Sequence, residues 1–285
     1  PGTLLFLKTS FAILATRLII PLSDFADTLI IPHRLQSIGL SPREATAFFG
    51  EFTGMATTIV SIPTILIFAM THILTAKITS DWQTKKWEQY FRRVKQAMQF
   101  GWLWGVSSSL FLLLFSSHIS VLVIGDETLS TAITCMSATP LLAGIRDVTT
   151  TVLWGVDNQK VPLTGLIMGA VISALVLFVF IGIPAYKVFG ISFGLLSMDL
   201  VAVGWNLYFL QRKFRHLFSL KNVLQETKAL FLFLSPLVIC SLYLLPRLPA
   251  DELPNTILSM LVFFSLVLLY IFFRLRFTKP DGNDS

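Results

Sequence analysis

Six ionisable residues, Arg17, Asp24, Asp27, Arg146, Asp147 and Asp199, stand inside or at the edges of long apolar runs. A charge at membrane depth is expensive and ordinarily faces a cavity or a partner, so each is a candidate site residue. Arg17 has Asp24 seven residues later on the same helical face, with Asp27 beyond it. A cation lining a cavity beside acidic neighbours suits an anionic substrate, whereas an internal Arg–Asp pair would be structural. Arg146 and Asp147 are adjacent and point about 100° apart on a helix, which argues against their pairing with each other. At least one then needs another partner, and Asp199 is a candidate, either as that partner or as an ion ligand. The stretch IRDVTTT continues with Thr149, Thr150 and Thr151, a hydroxyl stripe that lines a water-filled path or bonds back to its own helix.

Enzyme chemistry finds little support. His33, His72, His118 and His216 are scattered singly near the ends of apolar runs, with no HExxH or paired metal spacing. No phosphate-binding loop, nucleophile elbow or kinase signature occurs, so nucleotide hydrolysis by this chain is not expected. The paired acids, Asp126 with Glu127 and Asp251 with Glu252, fall in outer connections, and no metal site or cofactor is expected. Cys135 and Cys240 lie in apolar segments and read as packing residues.

The elements that must position these residues are membrane helices. Of 285 residues, 54% are hydrophobic and 13% charged, with mean hydropathy +0.74, whereas soluble domains carry about 25% charged residues. Eight segments meet the length of about 20 apolar residues needed to span a bilayer: 4–22, 52–76, 100–124, 129–155, 162–183, 190–210, 229–246 and 256–273. Continuous rather than alternating apolar runs indicate helices, hence an all-α integral membrane protein with about eight transmembrane helices. Sixteen Lys and Arg residues fall on one side of this arrangement and four, Arg34, Arg43, Lys187 and Arg247, on the other, which places both ends of the chain in the cytoplasm. The net charge of +6 is therefore membrane-flanking charge, and no nucleic-acid partner is expected.

Segment 80–98 mixes Trp82, Trp87, Tyr90 and Phe91 with basic residues and reads as a helix lying among lipid headgroups; 211–228 is similar but less aromatic. Glycine pairs at Gly50/Gly54, Gly101/Gly105, Gly165/Gly169 and Gly190/Gly194 predict close helix packing within the bundle. Pro63, Pro140 and Pro236 permit kinks.

The stretch SDFADTLIIPHRLQSIGLSPREATAFFGEFTGMATTIVSIPTI resembles the stage V sporulation protein B family, polysaccharide-type flippases of the MOP exporter superfamily. Asp27, Pro32, Arg34, Leu35, Gln36, Gly39, Glu44, Ala45, Gly50, Gly54, Met55, Ala56 and Pro63 carry the likeness. Weaker likeness follows in VLWGVDNQKVP, at Gly155 and Pro162, and in IPAYKVFGISFG, at Gly190 and Gly194. The resemblance implies two six-helix lobes plus two extra C-terminal helices. Residues 1–210 would be the second lobe, and 211–285 a cytoplasmic linker with the two additional helices. The N-terminal lobe of the same protein would then be a partner of this chain.

It further implies a bacterial cytoplasmic membrane protein that exports a lipid-linked oligosaccharide or undecaprenyl-type precursor of peptidoglycan or surface polysaccharide by alternating access. In the lipid II flippases a cationic central cavity holds the pyrophosphate; Arg17 and Arg146, which stand in no family motif, are candidates for that role by their charge and position alone. Coupling would be to membrane potential, H+ or Na+. The Na+ ligands of some relatives are not matched, because the fifth span has no carboxylate or amide and only Asp24 or Asp27 corresponds. The proline that the family tends to place near the cytoplasmic end of the second span is also absent, with Thr75, Ala76 and Lys77 there instead. Alternatives are a MATE-type exporter of cations or drugs and a non-transporting membrane scaffold. A single lobe cannot form a two-lobed cleft, so residues 1–285 expressed alone and reconstituted in vesicles are expected to move no lipid-linked precursor. A measured flux would overturn the division into lobes.

Overall fold

The computed structural model describes residues 2–214, 225–236 and 253–277, and the described residues are helical apart from short turns, without strands. Helix α1 spans Gly2–Ser37 and contains Pro21 and Pro32. It stops in a left-handed turn. Gly39 has φ +104°, its N–H donates to the Gln36 carbonyl at 3.0 Å, and the Leu40 N–H donates to Leu35 at 3.3 Å. A side chain is strained at that φ, which accounts for glycine here. A new helix, α2 (Pro42–Phe49), starts at once through a capping box: the Ser41 N–H donates to Glu44 Oε2 at 2.8 Å, and the Glu44 N–H donates to Ser41 Oγ at 3.3 Å.

Helix α2 runs into a π-helical turn, Gly50–Ala56, then α3 (Thr57–Ser61), and meets α4 (Thr64–Gln83) at a bend of 54°. Pro63 stands at the bend and supplies no N–H. Its carbonyl accepts the Trp104 indole N–H at 2.8 Å, so the break leaves that acceptor satisfied inside the bundle. Next come α5 (Trp87–Ile124), α6 (Ser130–Cys135), α7 (Thr139–Gly155), α8 (Lys160–Ile181), a 3-10 turn at Pro184–Tyr186, and α9 (Lys187–Lys213). After the helical stretch 225–236, α10 covers Leu253–Phe277.

The chain is a membrane protein. Among the described residues, four helical segments, Trp87–Ile124, Lys160–Ile181, Pro184–Lys213 and Ile257–Leu275, are long and apolar enough to cross a bilayer, or five if the bent pair Pro42–Ser61 with Thr64–Gln83 is one span. Of the eight expected spans, 4–22 lies within α1, and 229–246 runs beyond the described residues. The expected span 129–155 is divided. A turn at Met136–Ala138 separates α6 from the 17-residue α7, and Pro140 opens α7 instead of kinking a longer helix. Pro at the first turn costs nothing, because its missing N–H would have no partner there. Cys240, His216, Arg247, Asp251 and Glu252, with parts of 211–228, lie outside the described residues.

The expected headgroup helix over 80–98 does not form. Residues up to Gln83 complete α4, a turn at Thr84–Lys86 reverses the chain with Lys85 at φ 56°, and residues from Trp87 are the start of α5. With 38 residues α5 is about 57 Å long, so its first turns project beyond a hydrocarbon core of about 30 Å. Mixed aromatic and basic composition suits such a projecting helix end as well as a surface helix.

Three of the four glycine pairs bring helices together. A Cβ at Gly105 of α5 would lie 2.8 Å from the Leu141 Cα of α7, and one at Gly169 of α8 would lie 2.5 Å from the Met198 carbonyl oxygen of α9. Gly190 and Gly194 of α9 likewise face Phe180 and Leu177 of α8. Gly50 and Gly54 do not act this way, since nothing lies within 4 Å of a Cβ at either. The spacing records a small-residue face but not whether a helix lies against it. The loop after α5 is closed locally: the Thr128 N–H donates to Asp126 Oδ1 at 2.8 Å, and the bonds from Thr128 hold that carboxyl below its ordinary range.

Gly169→Ala is expected to destabilise the purified protein by about 1–3 kcal/mol through forced separation of α8 and α9. Gly54→Ala is expected to be neutral or to stabilise by up to about 1 kcal/mol. Thermal unfolding in detergent compares them, and equal losses would contradict the packing assigned to these faces.

Candidate functional site

Helix α7 stands between α4, α5 and α9, and α1 packs on α8. This arrangement leaves a cavity of about 350 Å³ between α1, α4, α7 and α8. Arg17 from α1 and Arg146, Asp147, Thr150 and Thr151 from α7 line it, together with Thr71, His72 and Thr75 from α4 and Trp154 near the end of α7. Two arginines separated by 129 positions therefore share one wall system.

Arg146 is held on both sides. It forms an ion pair with Asp199 of α9 and another with Asp147, whose Oδ1 lies 3.0 Å from Nη2 and accepts Nε–H at 3.1 Å. The side chains of Arg146 and Asp199 are 14% and 13% exposed, which makes this a buried group of charges. The expectation that Arg146 and Asp147 do not pair is corrected: the 100° argument describes Cβ directions, and the long Arg side chain folds back far enough to reach its neighbour. Sequence reasoning left the role of Asp199 open; in the structure it is an Arg146 partner.

Arg17 is different. Among the described residues its guanidinium has no carboxylate partner, and it lies 5.7 Å from the centroid of the Trp154 ring. The structural Arg17–Asp24 pair weighed above is absent. Asp24 is exposed and within electrostatic reach of Arg146, and Asp27, 5% exposed, lies near Asp24; neither lines the cavity.

The hydroxyl stripe divides its work. Thr149 is buried and bonds back to the Ile145 carbonyl at 2.8 Å, while Thr150 and Thr151 reach the cavity wall. Asn206 of α9 donates Nδ2–H to Thr149 Oγ1 at 3.1 Å and Thr150 Oγ1 at 3.2 Å, adding a second polar clasp between α7 and α9. Residues that sequence reasoning did not assign to a site are His72, Trp154, Thr71 and Thr75. The only advance signal was the hydroxyl repeat at Thr71 and Thr75, four apart. The Trp154 indole N–H is buried without a hydrogen-bond partner among the described residues, so an acceptor in the cavity would meet an available donor there.

The residues that carry the family resemblance lie away from the cavity. Pro32 is inside α1 and Gly39 ends it. Arg34 donates Nε–H to the Phe178 carbonyl at 2.8 Å, lies 4.2 Å over the Phe178 ring and packs on Gly182, tying α1 to α8. Gly50, Gly54 and Met55 sit in the π-helical turn, with Met55 46% exposed. No metal-binding group of His, Cys, Asp or Glu occurs among the described residues.

Breaking a buried ion pair costs about 3–5 kcal/mol, and Asp147 remains as a second partner. Asp199→Ala is therefore expected to destabilise by about 3 kcal/mol in denaturant unfolding, with most of the loss restored in Arg146→Met/Asp199→Leu. A single variant as stable as the parent would mean that Arg146 does not depend on Asp199.

The chain is similar to Stage V sporulation protein B of Bacillus subtilis (strain 168), 22% identical over 191 residues. The match covers 67% of this chain, and the chain spans 37% of the length of that relative. No family model matches, and no solved structure matches.

Proposed function

We propose that this chain forms part of a membrane flippase of the MOP type that exports a lipid-linked sugar precursor by alternating access. The single observation that supports this most is the shared cavity, in which Arg17, with no carboxylate partner among the described residues, faces the same space as Arg146, the Thr150 and Thr151 hydroxyls and the Trp154 indole. Such a wall suits a phosphate or pyrophosphate: guanidinium forks match its oxygens, and hydroxyl and indole donors complete the shell. The similarity to Stage V sporulation protein B supports the same class. Residues 1–210 would act as one lobe, with 211–285 as linker and added helices.

No nucleotide-binding motif is present in the sequence, so the drive in this reading is membrane potential or an H+ or Na+ gradient. A charged headgroup crossing the membrane gains about 2.3 kcal/mol per charge per 100 mV. Within the site, Arg146 would bind only if the cargo competes with Asp147 and Asp199 for it, which makes Arg17 the primary anchor. One observation favours a second reading. Asp147 shares the cavity wall and, with Asp199, offsets Arg146, as a MATE-type exporter of organic cations would require.

Complementation separates the two. Expressed from its complete gene in cells depleted of their lipid II flippase, the protein is expected to restore growth, and Arg17→Ala at equal membrane expression to reduce rescue at least tenfold, the loss of one charge-assisted contact of about 1.5–3 kcal/mol. Full rescue by Arg17→Ala would remove the anchor from this reading. Failure of the parent to rescue, with dye efflux that Asp147→Asn abolishes, would establish the cation exporter instead.

A further inference from the structure

We propose that the basic, aromatic end of the bundle is a binding surface for anionic phospholipid headgroups, seated on the α4–α5 turn and the end of α9. The inference does not rest on what the cavity carries. Ile78 of α4, Tyr90 of α5, Leu153 of α7, Val161 of α8 and Leu210 of α9 pack in one apolar cluster. The α4–α5 turn, the α7–α8 turn and the last turn of α9 therefore share one end of the bundle. Exposed on that end are Lys85, Lys86, Arg92, Lys160, Arg212 and Lys213, against Glu88 and Asp157 as exposed acids. Asp81 offers no offset, because it is buried and paired with Arg93.

The rings beneath these charges are arranged as a shelf. Trp82 meets Trp87 at 5.0 Å and Phe214 at 6.0 Å between centroids, and Phe91 meets Phe214 at 5.8 Å. Trp87 is 43% exposed and Phe91 37%. The Lys213 ammonium lies 5.2 Å over Trp82 and 5.8 Å over Phe214, so a cation is already held on the shelf with N–H groups left to donate. The shelf adjoins the ends of apolar helices, at the depth where indoles prefer to sit and lipid phosphates lie. A soluble anion would find the charges but would leave the exposed rings uncovered; a phospholipid covers both. The opposite end is built otherwise, with Arg43 exposed and Lys187 resting 5.1 Å over Phe48.

The complete chain, purified in detergent, is titrated with phosphatidylglycerol and with phosphatidylcholine and read by native mass spectrometry. Preference for the anionic lipid is expected to fall by on the order of fivefold per charge removed in Lys85→Gln/Lys86→Gln/Arg92→Gln/Lys213→Gln, and to survive in Arg43→Gln/Lys187→Gln. On the unmodified chain, raising salt from about 50 mM to about 500 mM should erase most of the preference, which keeps the test decisive if the quadruple variant does not fold. An unchanged preference in the quadruple variant, an equal fall in the opposite-end variant, or displacement of the lipid by millimolar glycerol phosphate would overturn the assignment.

Discussion

A guanidinium held in a bilayer must have its charge answered, and Arg146 is the place where this chain meets that demand. Its partners come from two helices, Asp147 on α7 and Asp199 on α9. The pairing therefore decides more than one side chain's position. It sets α7 against α9, and Asp199 and Asn206, seven residues apart on one face of α9, together make a polar seam along that contact. Side chains on a helix lean toward its N-terminus, which lets Arg146 meet Asp199 well before Asn206 meets Thr149 and Thr150. Without the acids, the same arginine would have to leave the helix interface or drag water into it.

The remaining faces of α7 are joined by the opposite device. Against α5 and α4 the contacts are made by absence of side chain: Gly101 and Gly105 of α5 receive Val148 and Leu141, and Gly144 and Gly155 receive Ile67 and Ile78 of α4. In lipid, close contact must come from dispersion and polar pairing because apolar burial against acyl chains drives nothing. One helix thus uses both means, and the cavity opens where neither is applied, between α7 and α1. Arg17 can remain without an acidic partner because it borders that opening and lies over an aromatic ring.

Much of this was legible in the residues. Long apolar runs predict the helices, and charges within them pick out Arg17, Arg146 and Asp147, which do share a cavity. Asp24, Asp27 and Asp199 were singled out by the same rule yet lie outside its wall, since a cost of burial does not say which side of a helix meets the relief. Trp154 was passed over because an aromatic ring in an apolar run has the same appearance whether it faces lipid or a cavity, and His72 was set aside because it stands singly, with no second histidine at metal spacing. Gly50 and Gly54 looked like a packing pair because sequence shows spacing, not neighbours. The turn at Thr84–Lys86 was missed because residues 80–98 carry helix-forming composition on both sides of it and no Gly or Pro to announce a stop.

The π-helical turn at Gly50–Ala56 lies ahead of the 54° bend, within the part of the chain that carries the strongest family likeness. Such a turn holds an extra residue relative to an α-helix. Deleting one residue there would let the segment relax into an ordinary helix with later positions kept in nearly the same phase, whereas a deletion from the first turns of α4, which hold no extra residue, would rotate every later position by about 100°. Thr71, His72 and Thr75 would turn away from Arg17 and Arg146 although none of them had changed. The π turn is thus a place where the chain can lose a residue and keep the wall supplied by α4 in phase, while in the regular turns that follow it a single deletion alters the site more deeply than most substitutions within it.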